Sequence, residues 1–146
     1  DHRMNLSRLA KSVLELKNGI TLHELTLDIA HLHGLTRTSQ RQHHHLRSII
    51  EGWAGIWEID GEKATVWLSP DDICDEIPWR GSTAFGVDRT WSELCYQEQI
   101  GVAKAALVAQ PNDPVDWLFK EFQMSRRSPS TIEIFGKWVE RAKTFF

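Results

Sequence analysis

The side chains with the greatest chemical capacity in this chain lie between Arg37 and Arg47. That stretch holds three arginines and three histidines and no carboxylate. Arginine forks suit phosphate oxygens and guanine edges, and glutamine suits adenine edges. Read as a helix from Ser39 to Glu51 with a step of about 100° per residue, the segment turns Leu46, Ile49, Ile50 and Trp53 inward. Arg41, His44 and Ser48 then face outward, flanked by Gln40, His45 and Arg47, with Arg37 in the preceding turn. The spacing predicts a nucleic-acid face made of Arg37, Gln40, Arg41, His44, Arg47 and Ser48. A face presented to protein is the competing reading, since any exposed helix carries polar residues.

The run His43-His44-His45 raises metal binding and then argues against it. Neighbouring helical positions point about 100° apart, whereas zinc sites use i, i+4 pairs on one face. His31 and His33 close the preceding helix, but no Cys, Asp or Glu completes a set. His43 falls at the edge of the apolar stripe and reads as a packed histidine. No metal and no cofactor is expected. Catalysis within the chain is not expected either. It has no phosphate-binding Gly-rich loop, no Gly-x-Ser-x-Gly and no His-Glu-x-x-His. Asp71-Asp72 and Asp75-Glu76 follow Ser69-Pro70 and read as charges suited to a helix start. Cys74 and Cys95, the only cysteines, read as reduced thiols of a cytoplasmic protein.

The elements that must position the basic face can be read upstream and downstream of it. Leu6, Leu9, Ala10, Val13 and Leu14 form the apolar side of a first helix. Thr21 and Glu24 have the spacing of a capping box, opening a second helix with Leu22, Leu25, Ile29 and Leu32 on one stripe. His33-Gly34 ends it, glycine being suited to the left-handed conformation that terminates helices. After the third helix, Gly55 to Ile59 and Lys63 to Leu68 flank Asp60-Gly61, a strong hairpin signal. Three helices and a hairpin in this order predict a winged helix-turn-helix. Its tip carries Glu58, Asp60 and Glu62, which would repel phosphate, so the hairpin is not expected to touch nucleic acid.

The rest of the chain predicts a second helical unit. Ser69-Pro70 would open a short acidic helix over Asp71 to Glu76, and residues 78–89 read as a linker. Thr90 and Glu93 suggest a capping box starting a helix to about Ala109. Asp113-Pro114 and Ser128-Pro129 open two more. Gly34 to Ser39 can be laid on Gln123 to Ser128, which sets Leu46, Ile49 and Ile50 on Phe135, Trp138 and Val139. This predicts a diverged, wingless three-helix repeat of the helix-turn-helix. The expected fold class is therefore mainly α, with a winged unit over 1–77 and a helical unit over 90–146 packed on it. The last helix is apolar over much of its circumference, and Ile134, Trp138 and Phe145 are its candidate interface residues.

Charge is divided unevenly. Residues 1–50 hold seven Lys/Arg against four Asp/Glu and all seven histidines, whereas 51–146 hold ten against sixteen. Such a division suits contact with nucleic acid through the first half. No apolar run has the length of a membrane span, and no membrane partner is expected. The chain opens on Asp1 and reads as a piece of a larger protein.

Several short motifs together resemble a known bacterial family. They are Asn18-Gly19-Ile20-Thr21, His33-Gly34-Leu35-Thr36-Arg37-Thr38 and Leu46-Arg47-Ser48-Ile49-Ile50, followed by Trp67-Leu68, Pro78-Trp79-Arg80, Arg89 and Trp91. The chain resembles the domain of unknown function 3320, found toward the C-terminus of superfamily-one DNA helicase-related proteins. The resemblance covers nearly the whole chain, and His43 to His45 depart from it. It implies a non-catalytic accessory module that binds DNA or RNA beside flanking helicase or nuclease domains. It brings no site residues. The alternative expectation is a protein-interaction or dimerisation module, with a second copy of the chain as partner through the aromatic last helix.

Overall fold

The computed structural model describes residues 1–146, which fold as two compact units, Asp1–Ile73 and Cys74–Phe146. The chain is mainly helical, with one small antiparallel sheet.

In the first unit, α1 (His2–Leu16) begins where the Asp1 carboxylate accepts the Arg3 backbone N–H. Its Leu6, Ala10, Val13 and Leu14 are buried, as their helical spacing requires. The helix hands over to a two-residue strand, β1 (Ile20–Thr21), too short to show an alternating pattern in the sequence. α2 (Leu22–Leu32) starts with the Thr21 hydroxyl accepting the Glu24 N–H at 3.0 Å. Leu25 and Ile29 are buried as expected, with Thr26 and Ala30 beside them. Leu32 is not: it is 63% exposed at the helix end, outside the stripe assigned to it. Lys17 reaches both Asp28 (2.7 Å) and Glu24 (3.4 Å), which ties the end of α1 to α2.

α3 (Gln40–Ile50) buries Leu46, Ile49 and Ile50 against α1 and α2, with Trp53 packed beside them. Two short strands follow, β2 (Gly55–Trp57) and β3 (Thr65–Trp67). The expected hairpin forms, but its strands are shorter than the apolar runs suggested, and residues 58–64 make the connection. β3 is the central strand. Val66 pairs with Ile56 on one side and with Ile20 on the other, giving the order β1-β3-β2.

The second unit holds α4 (Tyr96–Ala109), α5 (Pro114–Glu121) and α6 (Pro129–Ala142) around Leu118, Phe119, Phe135 and Trp138. The two proline starts hold. The Asp113 carboxylate accepts the Asp116 N–H, the Ser128 hydroxyl accepts the Thr131 N–H, and each proline sits in the first turn. Two helix starts differ from expectation. Ser69-Pro70 opens only a 3-10 turn, Pro70–Asp72; the backbone is already extended at Ile73, and further on the Ile77 N–H bonds the Gln97 carbonyl. Thr90 opens another, Trp91–Glu93, and extended Leu94 separates it from α4, so the long helix begins at Tyr96.

Residues 78–89, read as a linker, are fastened to α4 within the second unit. Glu98 is fully buried and takes the guanidinium of Arg89 at 2.6 and 2.9 Å and that of Arg80 as well. Burial opposes ionisation of Glu98, but the hydrogen bonds from Arg89 and Arg80 outweigh it and hold the carboxyl below its usual range. Both guanidinium groups also lie over the Phe85 ring. Gly101 lets the chain at Ile77 come this close, since a Cβ there would collide with the Ile77 carbonyl.

The helix-to-helix turns of the two units are built alike. Leu35 N–H bonds the Ala30 carbonyl at 2.9 Å, and Met124 N–H bonds the Phe119 carbonyl at 2.9 Å. The left-handed residue is Gly34 (φ 76°) in one and Gln123 (φ 53°) in the other. Ser39 and Ser128 then cap the next helix, and Leu46, Ile49, Ile50 and Phe135, Trp138, Val139 are all buried.

Two outcomes follow for stability. Glu98→Gln leaves Arg89 buried without its counter-charge and should lower the unfolding free energy by about 3–5 kcal/mol in urea titrations. Gln123→Gly relieves a left-handed side chain and should raise it by up to about 1 kcal/mol, while Gly34→Ala should lower it by a similar amount.

Candidate nucleic-acid interface

The Ser39 side chain and backbone set the start of α3. Its hydroxyl accepts the Gln42 N–H, and its own N–H donates to the Gln42 side-chain oxygen at 2.8 Å, a complete capping box. From that start the helical period carries Gln40, Arg41, His44 and Ser48 to the exposed side, with Arg37 exposed in the turn. Arg37 and Arg41 form no ion pair within the chain, so their guanidinium groups keep their donors for an outside acceptor.

Arg47 and Ser48 are arranged differently. Arg47 is half-buried and grips the Glu58 carboxylate in a two-pronged pair at 2.9 and 3.0 Å. Hydrogen bonding from Arg47 holds Glu58 below its usual range. Arg47 therefore spends its fork on the hairpin connection, and its part in the face is to hold that connection against α3. Ser48 donates its hydroxyl to the His45 carbonyl at 2.7 Å. The pair also screens one of the three carboxylates that the sequence counted against the hairpin tip.

The histidines fan out around α3. His44 is exposed between its neighbours. His43 turns toward α2, its Nε2 lying 3.3 Å from His23 Nδ1 and 3.2 Å from the Thr38 hydroxyl. His45 turns toward α1 and meets His2, Nε2 to Nε2, at 3.2 Å. No three His, Cys, Asp or Glu side chains converge into a group able to hold a metal ion. His23 joins Gln40, His43, His44, Arg47 and Lys63, together with the Glu58 carboxylate, in lining a groove of about 460 Å³ between α3 and the hairpin. His23 and Lys63 were missed in the sequence because tertiary packing brings them to α3, and no local pattern marks them.

The candidate interface residues of the last helix are packed inward. Trp138 is 4% exposed, with its ring 5.1 Å from Phe135 and 6.2 Å from Trp91. Ile134 and Phe145 are half-buried against the same cluster. The breadth of the apolar face is thus used in the core of the second unit. Cys74 and Cys95 are not joined in a disulfide, and burial pushes the Cys95 thiol up to about 11. No helix is long and apolar enough to cross a membrane.

Comparison of the chain with family models, with curated proteins and with solved structures finds no match.

Desolvation, together with the imidazoles of His23 and His44, holds His43 below the usual imidazole range. The unfolded chain takes up this proton first, so stability falls as pH drops below about 6.5. Thermal melts across that range should show Tm falling with acid, and His43→Gln should flatten the slope. An unchanged slope would remove His43 from this account.

Proposed function

We propose that the first unit is a winged helix-turn-helix that binds nucleic acid through the outward face of α3. The single observation that carries this reading is the exposed set Arg37, Gln40, Arg41 and His44, in which neither arginine has an ion pair within the chain. In a helix-turn-helix the second helix of the motif enters the major groove with its N-terminal residues at base edges. The element order and the β1-β3-β2 sheet support the winged form. The second unit is read as a wingless repeat of the same motif. The whole is a non-catalytic accessory module, and the family resemblance supplies the context of a helicase- or nuclease-type parent protein acting on DNA or RNA.

The interaction-module alternative is weakened by the burial of Trp138. It keeps only the half-buried Ile134 and Phe145 of its three proposed contacts.

Fluorescence anisotropy with labelled duplex DNA, single-stranded DNA and RNA, each at several salt concentrations, tests the proposal. Affinity should fall steeply as salt rises, because phosphate contacts release counterions. Arg41→Glu and Arg37→Glu should each weaken binding by about tenfold and flatten the salt slope by about one unit. Glu58→Gln, which removes a carboxylate and releases Arg47, should tighten it. Absence of binding at low salt, or affinity indifferent to Arg37 and Arg41, would overturn the reading.

A further inference from the structure

A second site lies on the other flank of α3, where α1, α2 and α3 leave an open cavity of about 290 Å³. Its floor is made by Leu6, Ile29, Ala30 and Leu46, all members of the buried core or its edge. The cavity has a sequence cause that the second unit makes visible. The matching turn bonds, Leu35 to Ala30 and Met124 to Phe119, put Ala30 and Phe119 at the same position of the motif. Phe119 is fully buried and fills its core; alanine at that position leaves space.

The mouth has a different chemistry from the floor. It carries Arg41, the imidazoles of His2, His33 and His45, and Gln42, and no carboxylate lines it. Gln42 accepts the Ser39 N–H with its side-chain oxygen, so its amide N–H groups are the donors it can offer. An apolar interior with a few polar donors at one end is the make-up of a small-molecule site, and the volume lies at the small end of such sites. The one fixed positive charge at the mouth selects a single negative charge, and the planar guanidinium beside an amide suits a carboxylate.

We infer that this cavity binds a small amphipathic monocarboxylate, its apolar body against Leu6, Ile29, Ala30 and Leu46 and its carboxylate on Arg41. The site does not depend on the nucleic-acid reading.

Methyl-resolved NMR of the full chain tests it, with octanoate as probe and octanamide as its uncharged counterpart. Octanoate should shift the methyl signals of Leu6, Ile29 and Leu46 saturably in the millimolar range, and octanamide should bind at least about tenfold more weakly. Arg41→Gln should bring octanoate down to the level of octanamide. Ala30→Leu, which fills the space, should abolish the shifts while the melting curve remains cooperative. If Ala30→Leu does not fold, the Arg41→Gln comparison decides alone. Unshifted floor methyls, equal binding of the two probes, or octanoate affinity unchanged by Arg41→Gln would each overturn the inference. Neither probe carries phosphate or a base, so a failure of nucleic-acid binding leaves this result untouched.

Discussion

α3 can present a basic face only because the chain reverses direction between Ala30 and Ser39 without spending any of that face on the reversal. Left-handed Gly34 turns the chain, and the Leu35 N–H closes the turn on the Ala30 carbonyl. The Ser39–Gln42 capping box then fixes the first residue of the next helix. The start residue matters because a helix is periodic: moving it by one residue would rotate every side chain by about 100°. Leu46 and Ile50 would leave the core, and Arg41 and His44 would swing toward it. The geometry of the turn therefore determines which side chains are available for binding.

The same turn in the second unit supports a helix of different character. On that register the outward positions held by Arg41, His44 and Ser48 in α3 fall on Ser130, Glu133 and Lys137 in α6. Glu133 and Lys137 are exposed and pair along the helix at 3.8 Å. A face of alternating sign offers phosphate no net attraction. The nucleic-acid reading accordingly attaches to α3 of the first unit, whose basic stretch is local: the hairpin connection and the acidic residues after it belong to the same unit and offset its charge. Within that unit Arg47 is withdrawn from the exposed set by Glu58, a trade of one binding group for a fixed hairpin.

What could be read from the sequence, and what could not, divides by range. Local signals carried well: the helical period at Leu46, Ile49 and Ile50 and the proline starts at Pro114 and Pro129 have the roles their chemistry implies, while Asp60-Gly61 marked the hairpin but lies within a connection of residues 58–64 rather than forming a two-residue turn. Failures arose where distant groups decide. Residues 78–89 have no period and two glycines, yet buried Glu98 draws Arg80 and Arg89 onto α4. The Thr90–Glu93 spacing fits a capping box, but the Thr90 hydroxyl bonds the Glu93 side chain and Leu94 remains extended. Arg47 lies on the side of α3 that the wheel assigns it, and a wheel has no means of showing Glu58 arriving from the hairpin.

Ala30 and Phe119 show how one motif can carry two uses. The backbone bonds that close the turn involve no side chain, so the position they mark is free to vary in size without disturbing the reversal. A phenyl ring there completes a core and commits the unit to packing. A methyl group leaves an open cavity over Leu6, Ile29 and Leu46, beside the core that holds the three helices together. Losing that contact area costs stability, on the order of 1 kcal/mol or more for a core position. Along its edges the first unit is tied by Lys17, clamped to Asp28 and Glu24, and by the Trp53 indole N–H, which donates to Ser7. The first unit, with the smaller residue at this position, has the exposed basic residues of α3 and an open cavity side by side.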